Sequence, residues 1–65
     1  MSIENILNLL ALRHHIVIVD SLNDRLYAGI VEDVPRDLWD LAVAGIAPQH
    51  CYFPDYDYLW IEVDQ

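Results

Sequence analysis

The sequence predicts an α+β fold in which an N-terminal helix packs on a small, mostly antiparallel sheet of three to four strands. Three observations support this prediction: apolar residues at helical spacing near the start, an unbroken β-branched run after them, and apolar–polar alternation near the end. A chain of 65 residues has room for one domain, residues 1–65. The predicted order of elements is helix, strand, strand, short helix, strand, strand.

The N-terminal helix is predicted to run from Ile3 to Leu12. Its apolar residues recur three and four positions apart and therefore share one face. They are Ile3, Ile6, Leu7 and Leu10. Ser2 is a suitable N-cap, and Glu4 places a negative charge in the first turn. Residues 13–15 (Arg-His-His) follow at the C-terminal end, where positive charge is favoured.

Two strands are predicted next. Residues 15–20 (HIVIVD) contain four consecutive β-branched residues, which indicates a central strand covered on both faces, or covered on one and engaged by a partner on the other. Residues 21–25 (SLNDR) have the composition of a turn. Residues 26–34 (LYAGIVEDV) then predict an antiparallel strand, in which Gly29 indicates a bulge or a close approach of another backbone.

The segment after the second strand is harder to assign. Pro35 has no N–H to donate, so it ends the strand and fits the first position of a short helix over residues 36–40. Residues 41–47 (LAVAGIA) have apolar spacing that allows a longer helix closed by Gly45. Their β-branched residues and the following Pro48 favour a third strand instead, and the strand is the preferred interpretation.

The last strand is predicted over residues 58–63 (YLWIEV), where apolar and other residues alternate. The alternation assigns one set of side chains to the core: Leu59, Ile61 and Val63. The opposite face carries the other set: Tyr58, Trp60 and Glu62.

Hydrophobic residues make up 55% of the chain, more than one small core readily encloses. Since contiguous exposed apolar patches mark contacts with partners, we expect a dimer or higher oligomer. Cys51 is the only cysteine, which favours a reducing, cytoplasmic setting. No segment has the features of a signal peptide or the ~20 apolar residues of a membrane span, so a soluble, unprocessed protein is expected.

The chain is strongly acidic, with eleven carboxylates against three arginines and no lysine. This balance disfavours direct nucleic-acid binding and docking on an anionic membrane, and is compatible with a basic protein partner. Six carboxylates lie between the first turn and the predicted short helix: Asp20, Asp24, Glu32, Asp33, Asp37 and Asp40. They are interpreted as a solvated rim. The alternative is an acidic nucleic-acid mimic that inhibits a host DNA- or RNA-binding enzyme.

The candidates for metal or nucleophilic chemistry surround the only cysteine. They are His50, Cys51, Asp55 and Asp57, with His14 and His15 farther away. The paired spacing of zinc ligands is missing, and sequence neighbours such as His50 and Cys51 seldom form a catalytic dyad. With two glycines there is no phosphate-binding loop. We therefore predict no enzyme activity, cofactor or small-molecule substrate, with a small metal-binding or cysteine-dependent enzyme as the alternative.

Five of the seven aromatic residues lie within residues 49–63 (QHCYFPDYDYLWIEV). They are Tyr52, Phe53, Tyr56, Tyr58 and Trp60. Pro54, Asp55 and Asp57 are turn residues, so the segment is predicted to be a loop that enters the last strand. Because aromatic rings are favoured at protein interfaces, the five are predicted to bind a partner. The alternative for some rings is packing at the bottom of the core.

Two segments, YAGIVEDVP (27–35) and YLWIEV (58–63), follow a helix that contains Leu9, Leu10 and Leu12. With this arrangement the chain resembles short acidic proteins of unknown function encoded by phages and integrated mobile elements of Firmicutes. The resemblance spans most of the chain. It implies a mobile-element accessory protein that modulates a host enzyme, and it assigns no role to individual residues.

Overall fold

The computed structural model describes all 65 residues as a four-stranded mixed sheet with one face covered by a short helix and two 3-10 turns. The elements are helix α1 (Ile3–Leu7) and strands β1 (His15–Val19), β2 (Arg25–Ile30), β3 (Val43–Tyr52) and β4 (Asp55–Val63). The 3-10 turns are Val31–Asp33 and Arg36–Leu38. The α+β class predicted from the sequence is confirmed.

The strands lie in the order β2-β1-β4-β3. The pairs β1–β2 and β3–β4 are antiparallel hairpins, whereas the central pair β1–β4 is parallel. Two of the three pairings are thus antiparallel, in agreement with the predicted, mostly antiparallel sheet, and the parallel central pair makes the sheet mixed. The parallel pairing arises because the chain passes from β2 across one face of the sheet to the far edge, so that β4 returns in the direction of β1.

The core lies on the face of the sheet that α1 and the 3-10 turns cover. Its nine buried residues are Ile3, Ile6, Leu7, Ile16, Ile18, Val31, Val34, Ile61 and Val63. Ile18 and Ile61 are directly paired on the two central strands, which places them side by side beneath the helix. The predicted division of the last strand is therefore correct, with Ile61 and Val63 fully buried and Leu59 packed against the cluster.

Helix α1 ends at Leu7, five positions before the predicted end at Leu12. The backbone explains the early end. The carbonyl of Leu12 accepts a hydrogen bond from the N–H of Glu32 at 2.9 Å, and the carbonyl of His14 accepts one from Val31 at 3.0 Å. These bonds extend the β1–β2 pairing back toward residue 12. Directly after Leu7, the N–H groups of Leu9 and Leu10 donate to the carbonyls of Ile6 and Leu7, three residues back, so the chain leaves the α-helix through turns. The apolar face also stops, since Leu12 is 61% exposed.

The turn between β1 and β2 forms where it was predicted. Its first residue, Asp20, accepts hydrogen bonds at Oδ1 from the N–H groups of Leu22 and Asp24, each 2.9 Å long. Asn23 adopts a positive φ of 68°, a conformation that asparagine tolerates better than most residues. A carboxylate therefore organises the hairpin that positions β1 and β2.

The second strand ends at Ile30 rather than at Val34. Val31 and Val34 both enter the core, each 5% exposed, so the backbone curls into a 3-10 turn there. The predicted short helix over residues 36–40 is likewise a 3-10 turn, Arg36–Leu38. Trp39 closes this region, because its indole N–H donates to the Val34 carbonyl at 3.2 Å.

Gly29 is not at a bulge, and the atoms nearest to a Cβ at this position belong to a side chain rather than to another backbone. The sheet irregularities lie between Ile18 and Val19 and between Val43 and Gly45. A Cβ at Gly29 would lie 2.7 Å from the hydroxyl oxygen of Tyr27. That hydroxyl donates to the Ile30 carbonyl at 2.7 Å. The close approach is thus made by a side chain, which explains why glycine occupies this position.

The preferred interpretation of residues 41–47 as a strand is confirmed for the part from Val43 onward. The predicted loop between residues 49 and 57 is wrong, because β3 continues to Tyr52 and β4 begins at Asp55. The two strands form one long hairpin whose turn is Phe53–Pro54. Residues near this turn extend beyond β1, whose first residue, His15, is paired with Tyr58.

Candidate interaction face

The face of the sheet opposite the core, here called the outer face, is covered by no helix or turn. Strand register places its side chains in rows across the sheet. The middle row consists of Ala28, Val17, Trp60 and Ala47. The next row consists of Ile30, His15, Tyr58 and Gln49. Cys51 and Tyr56 form a third row on the hairpin alone. The outer face is therefore a continuous apolar and aromatic surface.

The structure divides the five aromatic residues predicted to bind a partner. Tyr56, Tyr58 and Trp60 lie on the outer face, where all three are half-buried by their neighbours. Tyr52 is on the opposite face of the hairpin and is 85% exposed, and Phe53 is in the turn and is 97% exposed. The segment therefore supplies three residues to one surface and two to the hairpin tip, instead of a single patch.

Ring contacts hold the aromatic side chains of the outer face together. The rings of His15 and Tyr56 lie 4.1 Å apart between centroids, and those of Tyr56 and Tyr58 lie 6.2 Å apart. Desolvation by these neighbours, followed by the adjacent Cys51, raises the pKa of the Tyr56 hydroxyl above its usual value. The tyrosine is accordingly neutral, and this part of the outer face carries no tyrosinate charge.

Few charges lie on the outer face. Among the carboxylates of the four strands, Glu62 is on this face, whereas Asp55 and Asp57 point to the other side by strand alternation. Arg25 and Glu62 flank Val19 at one end of the sheet, since both are paired with it in register. A chain with a net charge of −8 thus presents one face whose charges nearly balance.

On the opposite side of the hairpin, His50 lies between two carboxylates. Its Nδ1 donates to Asp57 Oδ1 at 2.7 Å, and its Nε2 lies 2.6 Å from Asp55 Oδ1. Both ring nitrogens must carry protons to satisfy both contacts, so the geometry favours the imidazolium. The hydrogen bond that His50 donates to Asp57 is the largest cause of the raised pKa of His50, and the bond that it donates to Asp55 adds to it. We call this group the His50 clamp.

The residues proposed for metal or nucleophilic chemistry do not come together. His50 and Cys51 are neighbours in β3 and point to opposite faces, so the histidine does not lie beside the thiol. No three side chains of the histidine, cysteine, aspartate or glutamate types are placed to hold a metal ion. An open cleft of about 580 Å³ lies beside the clamp, with His14, Gln49 and His50 among its lining residues.

Sequence reasoning found one feature of the site only as an alternative and missed another. The run Ile16–Val19 has no polar residue on either side of the strand, so the sequence left open whether the face of Val17 is covered within the chain or engaged by a partner. The His50 clamp was missed. In a hairpin that turns at residues 53–54, His50 and Asp57 are equidistant from the turn and therefore face each other across the strands.

Compared with known proteins, the chain matches no family model, no curated protein and no solved structure. The resemblance to phage and mobile-element proteins therefore stays a prediction. The structure also contains no helix with the length and apolar character needed to span a membrane.

Proposed function

We propose that this chain is a non-enzymatic protein–protein interaction module that self-associates through the outer face. The observation that supports the proposal is the middle row of that face, where Val17 and Trp60 occupy the centre of a sheet surface that nothing covers. In a monomer this row is partly in contact with water, since Val17, Trp60 and Ala47 are half-buried and Ala28 is exposed. Its burial by a partner removes apolar area from water at roughly 25 cal/mol per Å².

The chemical character of the outer face fits a binding surface. Tyr58 and Trp60 are residue types that dominate the energetics of protein interfaces, because a rigid ring buries a large area at little cost in conformational entropy. Trp60 lies between Val17 and Ala47 in register. Glu62 is paired with Val19 at one end of the face, and the charge of Arg25, which is paired with the same valine, also acts on the Tyr56 hydroxyl. A hydrophobic centre with polar groups at its margin is the usual anatomy of an interface.

The other two functions considered from the sequence have less support. The carboxylates occupy both ends of the sheet, with Asp20 and Asp24 in the β1–β2 turn and Glu32 and Asp33 after the far end of β2. This distribution opposes a single stripe of the kind that imitates a phosphate backbone. The enzyme alternative required His50 to act on Cys51, and the two side chains lie on opposite faces.

The proposed setting follows from the sequence. We propose a cytoplasmic accessory protein of a phage or integrated element, with a second copy or another protein as partner. Support comes from the lone Cys51, the acidic composition and the sequence resemblance. Direct binding to nucleic acid or to an anionic membrane is not part of the proposal, because the chain has eleven carboxylates and no lysine.

The test is to measure assembly of the Trp60→Ala variant by sedimentation at micromolar concentration. We expect the wild type to associate, and the variant to bind about 30-fold more weakly, which corresponds to the roughly 2 kcal/mol of an interface hot spot. Phe53→Ala is the matched control, since it removes an aromatic ring that is 97% exposed at the hairpin tip. Circular dichroism establishes that both variants are folded.

Two results would contradict the proposal. One is a wild-type protein that stays monomeric throughout the concentration range. The other is a folded Trp60→Ala variant that associates as tightly as Phe53→Ala.

A further inference from the structure

We infer that the occupant of the outer face is a second copy of this chain, stacked face to face about a two-fold axis that passes beside Val17 and Trp60. This inference rests on the proposed function and deepens it by specifying the partner and the geometry. Three independent observations support it: the dimensions of the face, its charge, and the state of the two sheet edges.

The size of the molecule is compatible with a dimer of this kind. The chain measures 29 × 24 × 16 Å along its principal axes. The two larger extents limit the projected area of any one face to about 700 Å², the same order as the ~800 Å² of accessible surface that each partner contributes to a standard interface. A second copy offers a face of the same outline. Two sheets stack at ~10 Å with side chains interdigitated, so each outer face becomes the interior of a four-layer dimer.

Charge favours a like copy at this face over a strongly basic partner. Two chains of net charge −8 repel each other when their acidic surfaces approach. The outer face avoids this repulsion, because its one strand carboxylate, Glu62, is accompanied by Arg25 on the other side of Val19. A basic protein would be attracted to the acidic turns instead. The nearly balanced face is the surface at which two acidic copies approach with the least electrostatic cost.

The edges of the sheet do not favour association by strand addition. Strand β3 contains Pro48, which has no N–H for a neighbouring strand, and its pairing is irregular between Val43 and Gly45. The other edge, β2, has six residues and passes directly into a 3-10 turn at Val31. Short or interrupted edges are common devices against edge-to-edge pairing. Face-to-face stacking is the remaining way to bury the apolar surface.

The position of the axis follows from the strand order. Strands β1 and β4 are central, and Val17 and Trp60 are paired in the middle row. In an isologous pair only residues near the two-fold axis meet the same residue of the other copy. When two of these sheets stack about their centres, Val17 and Trp60 of one copy contact Val17 and Trp60 of the other. Residues of the sheet edges contact different residues. The interface closes at two copies and leaves no apolar face for further growth.

Cross-linking tests this geometry. In a Cys51→Ser background, Val17→Cys places one thiol beside the proposed axis, and a bismaleimide with a short spacer should join two copies in high yield. Ile46→Cys, also in Cys51→Ser, is the control, since Ile46 is 46% exposed on the opposite face of β3. It should give little cross-linked dimer. Adding Trp60→Ala to the Val17→Cys protein should abolish the cross-link.

A second measurement uses the wild-type protein and so does not depend on how a variant folds. In a mixture of isotope-labelled and unlabelled chains, isotope-filtered NMR should detect contacts between the Trp60 ring of one copy and the Val17 methyl groups of the other. Contacts from Ile46 or Pro48 in their place would overturn the face-to-face arrangement.

The outcomes separate this inference from the proposed function. A dimer that depends on Trp60 but shows neither the Val17 cross-link nor the Val17–Trp60 contacts overturns the geometry and leaves the interaction module intact. A protein that sediments as a monomer throughout overturns both.

Discussion

Two isoleucines in one row of the sheet provide a sensitive test of where the core ends. Ile61 and Ile46 are directly paired on β4 and β3 and point to the same face. Ile61 is 0% exposed and lies on the central strand β4, whereas Ile46 is 46% exposed and lies on the edge strand β3. The same substitution to alanine at both positions changes the same chemical groups in the same row, so burial is the main difference between the two variants.

The expected magnitudes follow from that burial. Ile→Ala removes three carbon groups, worth about 2.4 kcal/mol at ~0.8 kcal/mol each when fully buried. The cavity left at Ile61 raises the cost to roughly 3–4 kcal/mol. At Ile46 the side chain is already about half exposed, so only about half of this burial free energy is lost, and solvent fills the vacated space. We therefore expect Ile46→Ala to lower the unfolding free energy by about 1 kcal/mol. A chain of 65 residues has a total unfolding free energy of roughly 3–10 kcal/mol, so Ile61→Ala removes much of it.

The assay is urea unfolding followed by circular dichroism, with both substitutions placed in the Trp60→Ala background to reduce the contribution of assembly. Ile61→Val, which removes one carbon, should cost about 1 kcal/mol and keeps Ile61 measurable if the alanine variant unfolds. Equal losses at the two positions, or a larger loss for Ile46→Ala, would refute the reasoning that the core lies under the central strands.

Two further predictions concern polar and steric contacts. NMR titration should find the pKa of His50 above its usual 6.5, and Asp57→Asn should lower it more than Asp55→Asn, since the Asp57 hydrogen bond is the largest cause of the shift. Because folding raises the pKa of His50, the stability that the His50 clamp contributes is fully present below pH 6.5 and is lost as the pH rises through the pKa of the folded state. A His50 pKa at its usual value in the folded protein would contradict the clamp. Gly29→Ala should cost about 1 kcal/mol, because the new Cβ displaces the Tyr27 hydroxyl from its hydrogen bond. The cost should shrink in a Tyr27→Phe background, and an equal cost in both backgrounds would show that the hydroxyl is not what the Cβ meets.

Local patterns in the sequence predicted the parts of the fold that local physics determines. The alternation around Ile61 identified the buried face of the last strand, and the polar residues after Val19 located the first turn. The end of α1 was out of reach, because Leu9 and Leu12 have helical spacing and good helix propensity. The segment that follows the helix instead makes long-range contacts, since the carbonyls of Leu12 and His14 accept hydrogen bonds from residues 31–32, about twenty positions later. The parallel pairing of the central strands is also a long-range property that periodicity does not encode.

The candidate site shows the same division. Aromatic enrichment located the correct segment, and the residues of β4 within it follow the predicted alternation, so Tyr58 and Trp60 share the face opposite the core. Tyr52 and Phe53 were grouped with them because they are close in sequence. The hairpin turn reverses the chain at Phe53–Pro54, and strand register then places Tyr52 on the other side. Proximity in sequence is a poor guide to a shared surface wherever a turn intervenes.

The tip of the β3–β4 hairpin extends past the first residue of β1, so the hairpin tip resists local unfolding less than the centre of the sheet does. The part of β4 that precedes Tyr58, and the part of β3 paired with it, have no third strand beside them. Backbone pairing and the His50 clamp hold the tip of this hairpin. We therefore expect amide protons near Ile61 to exchange with solvent only when the whole domain unfolds, and those of residues 50–57 to exchange through fraying of the tip. The two-residue turn at Phe53–Pro54 is accordingly the place where the chain accepts an inserted peptide or a protease cut with the least loss of structure.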